Sequence, residues 1–108
     1  MKWCSNLFSY SDSQLSSGEE LVEEILRRPD VRIERIISTG QVSGWYDQKE
    51  AEWVCLVQGK AQLEYEGGQT QDLTAGDIVF LPAHKKHRVS ATSRQPACIW
   101  LCVFFPGD

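Results

Sequence analysis

Two stretches decide how this chain reads: residues 40–59, GQVSGWYDQKEAEWVCLVQG, and residues 76–88, GDIVFLPAHKKHR. The first has the spacing Gly40-x5-Tyr46-x-Gln48-x3-Glu52-x6-Gly59, the second Gly76-x5-Pro82-x-His84-x2-His87. Each opens on a glycine turn, runs into a segment of strand character and carries polar side chains with lone pairs. Between them lie hairpin signals that can fold the two stretches back beside each other.

Working outward, EWVCLVQ is a mostly apolar strand, and Gly59-Lys60 suits the tight turn after it. AQLEYE alternates, with Ala61, Leu63 and Tyr65 on one face and Gln62, Glu64 and Glu66 on the other. Gly67-Gly68 supplies the positive φ angles of a second hairpin. IVFLP, HRVSAT and CIWLCVFF follow, and upstream VRIERIIS alternates apolar with charged residues. Seven or eight short strands between Gly, Pro and Asp turns predict an all-β sandwich or barrel. The last strand is apolar on both faces, Ile99, Leu101, Val103 and Phe105 against Cys98, Trp100, Cys102 and Phe104. An antiparallel strand of that kind needs cover on both sides, which the N-terminal helix or a second subunit would provide. A homodimer is therefore expected.

The N-terminal third reads differently. MKWCSNLFSY has no clear period and suits an edge strand or an arm. SDSQLSSGEELVEEILRRPD reads as a short helix packed on the barrel. Ser16-x-x-Glu19 and Ser17-x-x-Glu20 offer capping boxes, and Leu21, Val22, Ile25 and Leu26 form a stripe at helical spacing. Arg27 and Arg28 suit the last turn, and Pro29 ends it. Residues 1–30 are then an arm and helix belonging to the same single domain as the barrel of residues 31–108.

The two stretches together resemble the paired motifs of the cupin superfamily, small jelly-roll (double-stranded β-helix) barrels with a metal or ligand pocket inside, and the resemblance spans about residues 31–105. It implies a ligand set of His-x-His-x3-or-4-Glu from the first stretch and one histidine from the second. Carried over by position, the two histidines fall on Tyr46 and Gln48, the glutamate on Glu52 and the last histidine on His87. The chain thus keeps Glu52 and His87 and departs at both first-stretch histidines. Gln48 can bind through its amide oxygen. Tyr46 is a poor ligand at neutral pH, because its phenol titrates near ~10. With the longer spacing the two positions become Trp45 and Asp47, and Asp47 is a good hard ligand; a bulge would decide which register points inward. The resemblance implies a divalent ion (Fe, Mn, Ni or Zn) held by Gln48, Glu52, His87 and Asp47, with Glu52 also serving as a catalytic base.

His84 and His87 lie three apart across the turn after Pro82, with Lys85, Lys86 and Arg88 as a small basic cluster. At a barrel mouth, Tyr46, His84 and Lys86 could line a substrate pocket, and the cluster could attract a carboxylate or phosphate. The function expected is a stand-alone cupin, metal-dependent, acting on a small polar or sugar-like substrate. Its rivals are a non-catalytic cupin that senses or stores a small ligand, and a structural dimerisation module.

Bulk properties remove other classes. The 108 residues carry a net charge of −4, against a nucleic-acid partner, which needs a basic excess. No apolar run reaches the ~18 residues of a membrane span, so no membrane partner is expected. The first residues lack the apolar stretch of a secretory signal, so a cytoplasmic address is expected. Cys4, Cys55, Cys98 and Cys102 form no Cys-x-x-Cys. Cys98 and Cys102 would sit about 13 Å apart on one strand face, too far for a disulfide, so buried thiols are expected. No serine-hydrolase elbow, P-loop or dinucleotide fingerprint is present.

Overall fold

Gly59 shows how closely the chain turns back on itself. Its φ is +96°, and a Cβ there would stand 2.9 Å from the backbone of Cys98. Only glycine fits a left-handed turn pressed against the last strand. The computed structural model describes residues 6–107. Eight strands follow in order: β1 (Leu21–Arg28), β2 (Val31–Ser38), β3 (Glu50–Gln58), β4 (Lys60–Tyr65), β5 (Thr70–Thr74), β6 (Ile78–Leu81), β7 (His87–Thr92) and β8 (Cys98–Pro106).

These strands build two antiparallel sheets, β1-β2-β8-β3-β6 and β5-β4-β7, facing each other as a jelly-roll barrel. The small sheet is widened by an irregular segment. Ser43 N donates to Val89 O at 2.9 Å, and Tyr46 and His87 exchange backbone bonds at 2.7 and 3.2 Å. Between the sheets lie Val54, Leu56, Leu63, Leu73, Val79, Leu81, Trp100 and Phe104. The period of two sets this: alternate residues of β3, β4 and β8 turn inward and meet across the barrel. No helix among the described residues is long and apolar enough to cross a membrane.

The expected N-terminal helix is corrected. Its only helical piece is a 3-10 turn, Asp12–Leu15, while LVEEILRR is strand β1, paired with β2 across the turn at Pro29-Asp30. Two features explain the misreading. The β1 register shifts between Glu24 and Leu26, leaving Ile25 as an extra residue. That bulge breaks the alternation and mimics helical spacing. Pairing also satisfies the whole edge of β2, which a helix could not do.

Residues 6–10 of the arm lie against this sheet, held by Arg35 of β2. That side chain, 2% exposed, donates from Nε to Glu23 Oε1 at 2.6 Å. Its guanidinium also donates to the carbonyls of Ser9, Leu7 and Asn6 at 2.7, 3.1 and 3.4 Å. Cys55, Cys98 and Cys102 are free thiols, the last two buried. Cys4 and the first five residues of the expected arm lie outside the described residues.

Candidate functional site

Strand register puts a polar patch inside an otherwise apolar barrel. Glu52 of β3 lies between Phe104 of β8 and Leu81 of β6. The parity that turns Val54 and Leu56 inward therefore turns Glu52 inward too. His87, first residue of β7, points inward with Val89. Together they line a cavity of about 270 Å³ with Tyr46 and Gln48 at its polar end and Val54, Leu63, Trp100 and Phe104 on its apolar walls.

Glu52 is 7% exposed and His87 4%. Gln48 Nε2 donates to Glu52 Oε1 at 3.0 Å. Burial pushes the Glu52 carboxyl above its ordinary value, and the nearby Glu34 carboxylate adds to the rise, while hydrogen bonds from Cys102 and Gln48 oppose it. Burial likewise raises the Cys102 thiol well above its usual value, reinforced by Glu52. The Tyr46 phenol is raised by burial and then by Glu20. His87 Nδ1 lies 2.7 Å from the carbonyl of Lys85. A carbonyl only accepts, so Nδ1 carries the hydrogen, and in the neutral ring Nε2 keeps the lone pair.

The sequence-derived residues divide into two groups. Tyr46, Gln48, Glu52 and His87 share the cavity. Asp47 and His84 do not: His84 Nδ1 lies 2.7 Å from Asp47 Oδ1 on the outer surface, with side chains 66% and 47% exposed respectively. His84 has φ +64°, a left-handed conformation rare outside glycine and asparagine, and its N–H donates to Gln48 O at 2.8 Å. Lys86 does not line the cavity either: it lies 3.4 Å from Glu66 and borders a separate open depression with Trp45 and Asp47. Tyr46/Gln48, rather than Trp45/Asp47, is thus the register that reaches the interior.

Three cavity residues were not singled out from the sequence: Glu20, Arg32 and Glu34. Arg32 and Glu34 share the parity of Ile36 and stand opposite Phe104 and Cys102 of β8. Alternation shows that they share a face; only the neighbouring strand shows that the face is the inner one.

The donor set falls short of the metal centre that the resemblance implies. Among the described residues no group of three or more His, Cys, Asp or Glu side chains could hold a metal ion. The cavity is lined by one imidazole, His87, and three carboxylates, Glu20, Glu34 and Glu52, which do not converge as such a group, and Gln48 is already bonded to Glu52. Tyr46, in the place of a ligand histidine, packs its ring on His87 instead.

Comparisons with known proteins agree with this architecture. A family described as a cupin domain matches residues 34–104. A crystal structure from Ralstonia eutropha JMP134, of a protein provisionally named a mannose-6-phosphate isomerase, is 37% identical; the match covers 95% of this chain and 97% of that one, with a TM-score of 0.85. A cupin superfamily protein from Desulfitobacterium hafniense DCB-2 is 20% identical, over 82% of this chain and 78% of that one, with a TM-score of 0.72, a likeness of fold. A stretch of 47 residues is 38% identical to the RCS-specific HTH-type transcriptional activator RclR of Escherichia coli (strain K12). It spans 44% of this chain and only 16% of that protein.

Proposed function

This chain belongs to the cupin family, and from that premise we propose that its cavity binds a small polar, sugar-like organic molecule, with Glu52 and His87 as the groups that work on it. One observation carries the reading: two ionisable side chains, each more than nine-tenths buried, line the same cavity. Burying such groups is unfavourable unless they are paired or used. At about 270 Å³ the cavity falls just below the usual range of ligand sites, roughly 300–1,000 Å³, and suits a small molecule.

The chemistry available is proton transfer. Glu52, raised by burial, holds its proton to higher pH than an exposed carboxyl and is suited to donate it. His87 Nε2 is suited to accept one, with its tautomer set by Lys85 O. Gln48 orients Glu52. A name that speaks of a sugar isomerase, carried by the Ralstonia relative, supports such a substrate class. No step is assigned to a divalent ion, because the donor set is too small for one. The non-catalytic alternative, a cavity that senses its ligand, is favoured by the likeness to part of a transcriptional activator.

The homodimer belongs to the same proposal. Leu26, Ile33, Val103, Trp53 and Phe80 form an apolar row across all five strands on the outer face, with Phe80 55% exposed. A second copy packing sheet on sheet would cover it. The cytoplasmic address is supported by the free thiols Cys55, Cys98 and Cys102, which suit a reducing compartment.

Thermal shift with a panel of polar metabolites tests the cavity reading. A hit should stabilise the native protein and should be lost in both Glu52→Ala and His87→Ala, each shown folded by circular dichroism. A ligand that binds both variants as tightly as the parent would remove the site. Turnover of a hit by the parent protein separates the enzyme from the sensor.

A further inference from the structure

Charge inside the cavity says more about the ligand. Three carboxylates line it, Glu20, Glu34 and Glu52, against one guanidinium, Arg32. Arg32 is already engaged: it donates to Glu34 at 3.0 Å and Glu50 at 2.9 Å, and its Cζ stands 4.1 Å from the centre of the Phe104 ring. Glu20 is held in place by a relay in which Trp100 Nε1 donates to Ser38 Oγ at 3.1 Å and Ser38 Oγ donates to Glu20 at 2.6 Å.

The basic cluster that follows Pro82 is engaged as well. Lys86 pairs with Glu66, Arg88 pairs with Glu64 at 2.5 Å, and Lys85 lies over the Tyr65 ring. A phosphate entering the barrel would therefore meet three carboxylates and no uncommitted cation. That is repulsion at low dielectric, where it is strongest. A cation meets the opposite situation, with carboxylates and the faces of Tyr46 and Trp100 on the same walls. The mark of a ligand that is independent of the acids is His87: it is 4% exposed and lines the cavity, and its Nε2 makes no hydrogen bond among the described residues.

We infer that the molecule taken up carries a protonated amine, facing the carboxylates that line the cavity, Glu20, Glu34 and Glu52, on a small hydroxylated frame whose polar groups reach His87. The inference rests on the cavity reading above and gives it a substrate class: amino sugars and amino alcohols, with phosphorylated sugars excluded.

Matched probes test it by titration calorimetry at pH 7. One set is D-glucosamine, D-glucose and D-mannose 6-phosphate; a smaller set is ethanolamine, ethylene glycol and glycolate. In at least one set the amine should bind about 10-fold or more tightly than its neutral partner, and the anion should not bind. Glu34→Gln should reduce the advantage of the amine over its neutral partner by roughly 5-fold or more. Tighter binding of D-mannose 6-phosphate or glycolate overturns the inference and leaves the cavity reading standing. Equal binding of amine and neutral members does the same. Binding by no member of either set overturns both.

Discussion

Tyr46 and His87 hold each other twice, through paired backbone hydrogen bonds of 2.7 and 3.2 Å and through rings whose centroids lie 5.3 Å apart at 33°. The two stretches that carry the cupin resemblance thus meet at this pair. Tyr46 brings Gln48 to the cavity, and β7 places His87 beside it. The ring of Tyr46 occupies the place of a would-be ligand and supports the imidazole. Its phenol, raised by burial, stays protonated at neutral pH and can donate to a ligand.

Replacing His87 removes this support. His87→Ala leaves the Lys85 carbonyl without its donor and opens space beside Tyr46. A loss of about 2–3 kcal/mol is expected in urea denaturation, together with loss of ligand binding. A variant with unchanged stability would show that the imidazole supports nothing.

Glu52 makes stability depend on pH. Its folded carboxyl titrates above the unfolded value of ~4.3. Its contribution is fully present below that unfolded value and is lost as pH rises through the folded one. Glu52→Gln removes the ionisable group and keeps the size. The variant should be more stable than the parent at pH 8, by about 1 kcal/mol or more, and level with it near pH 4. Melting curves across pH 4–8 check this, and parallel curves for the two proteins would contradict it.

Arg35 anchors the arm. Arg35→Leu leaves three backbone carbonyls and Glu23 without their buried donor, and a loss of roughly 3–5 kcal/mol is expected. Hydrogen exchange should accelerate first in residues 6–15. Adding Glu23→Leu should recover part of the loss, because the carboxylate left unpaired is then removed. Exchange that stays slow in the arm would place its anchor elsewhere.

Metal analysis addresses the donor set. Purified protein should hold Fe, Mn, Ni or Zn well below one ion per chain, since among the described residues no three donors converge as a metal site. One ion per chain, lost in both Glu52→Ala and His87→Ala, would show that Gln48 or solvent completes the site after all.

The outer face is the fifth test. Phe80→Glu puts a charge into the apolar row beside Trp53 and near Phe105, whose ring centroid stands 6.1 Å from that of Phe80. Sedimentation velocity should find the parent as a dimer and the variant shifted to monomer by at least 10-fold in dissociation constant. A monomeric parent would remove the dimer.

Turns and alternation made the barrel legible in the chain alone. Glycines at 59, 67 and 68 mark hairpins that local backbone geometry enforces. A period of two also says that Gln48 and Glu52 share a face, since that follows from the pleat whatever surrounds it. The parity of Arg32 and Glu34 was equally visible, but not its direction. Which face is interior depends on the strand alongside, here β8 with Phe104 and Cys102. The same dependence turned LVEEILRR from helix to strand, because its partner lies across a two-residue turn and a bulge hides its period. Asp47 was the alternative ligand under the longer spacing and His84 a candidate for the pocket rim, and the fold paired them with each other outside the cavity. Spacing along the chain sets which side chains travel together, whereas burial and charge pairing depend on distances through space that only the closed barrel supplies.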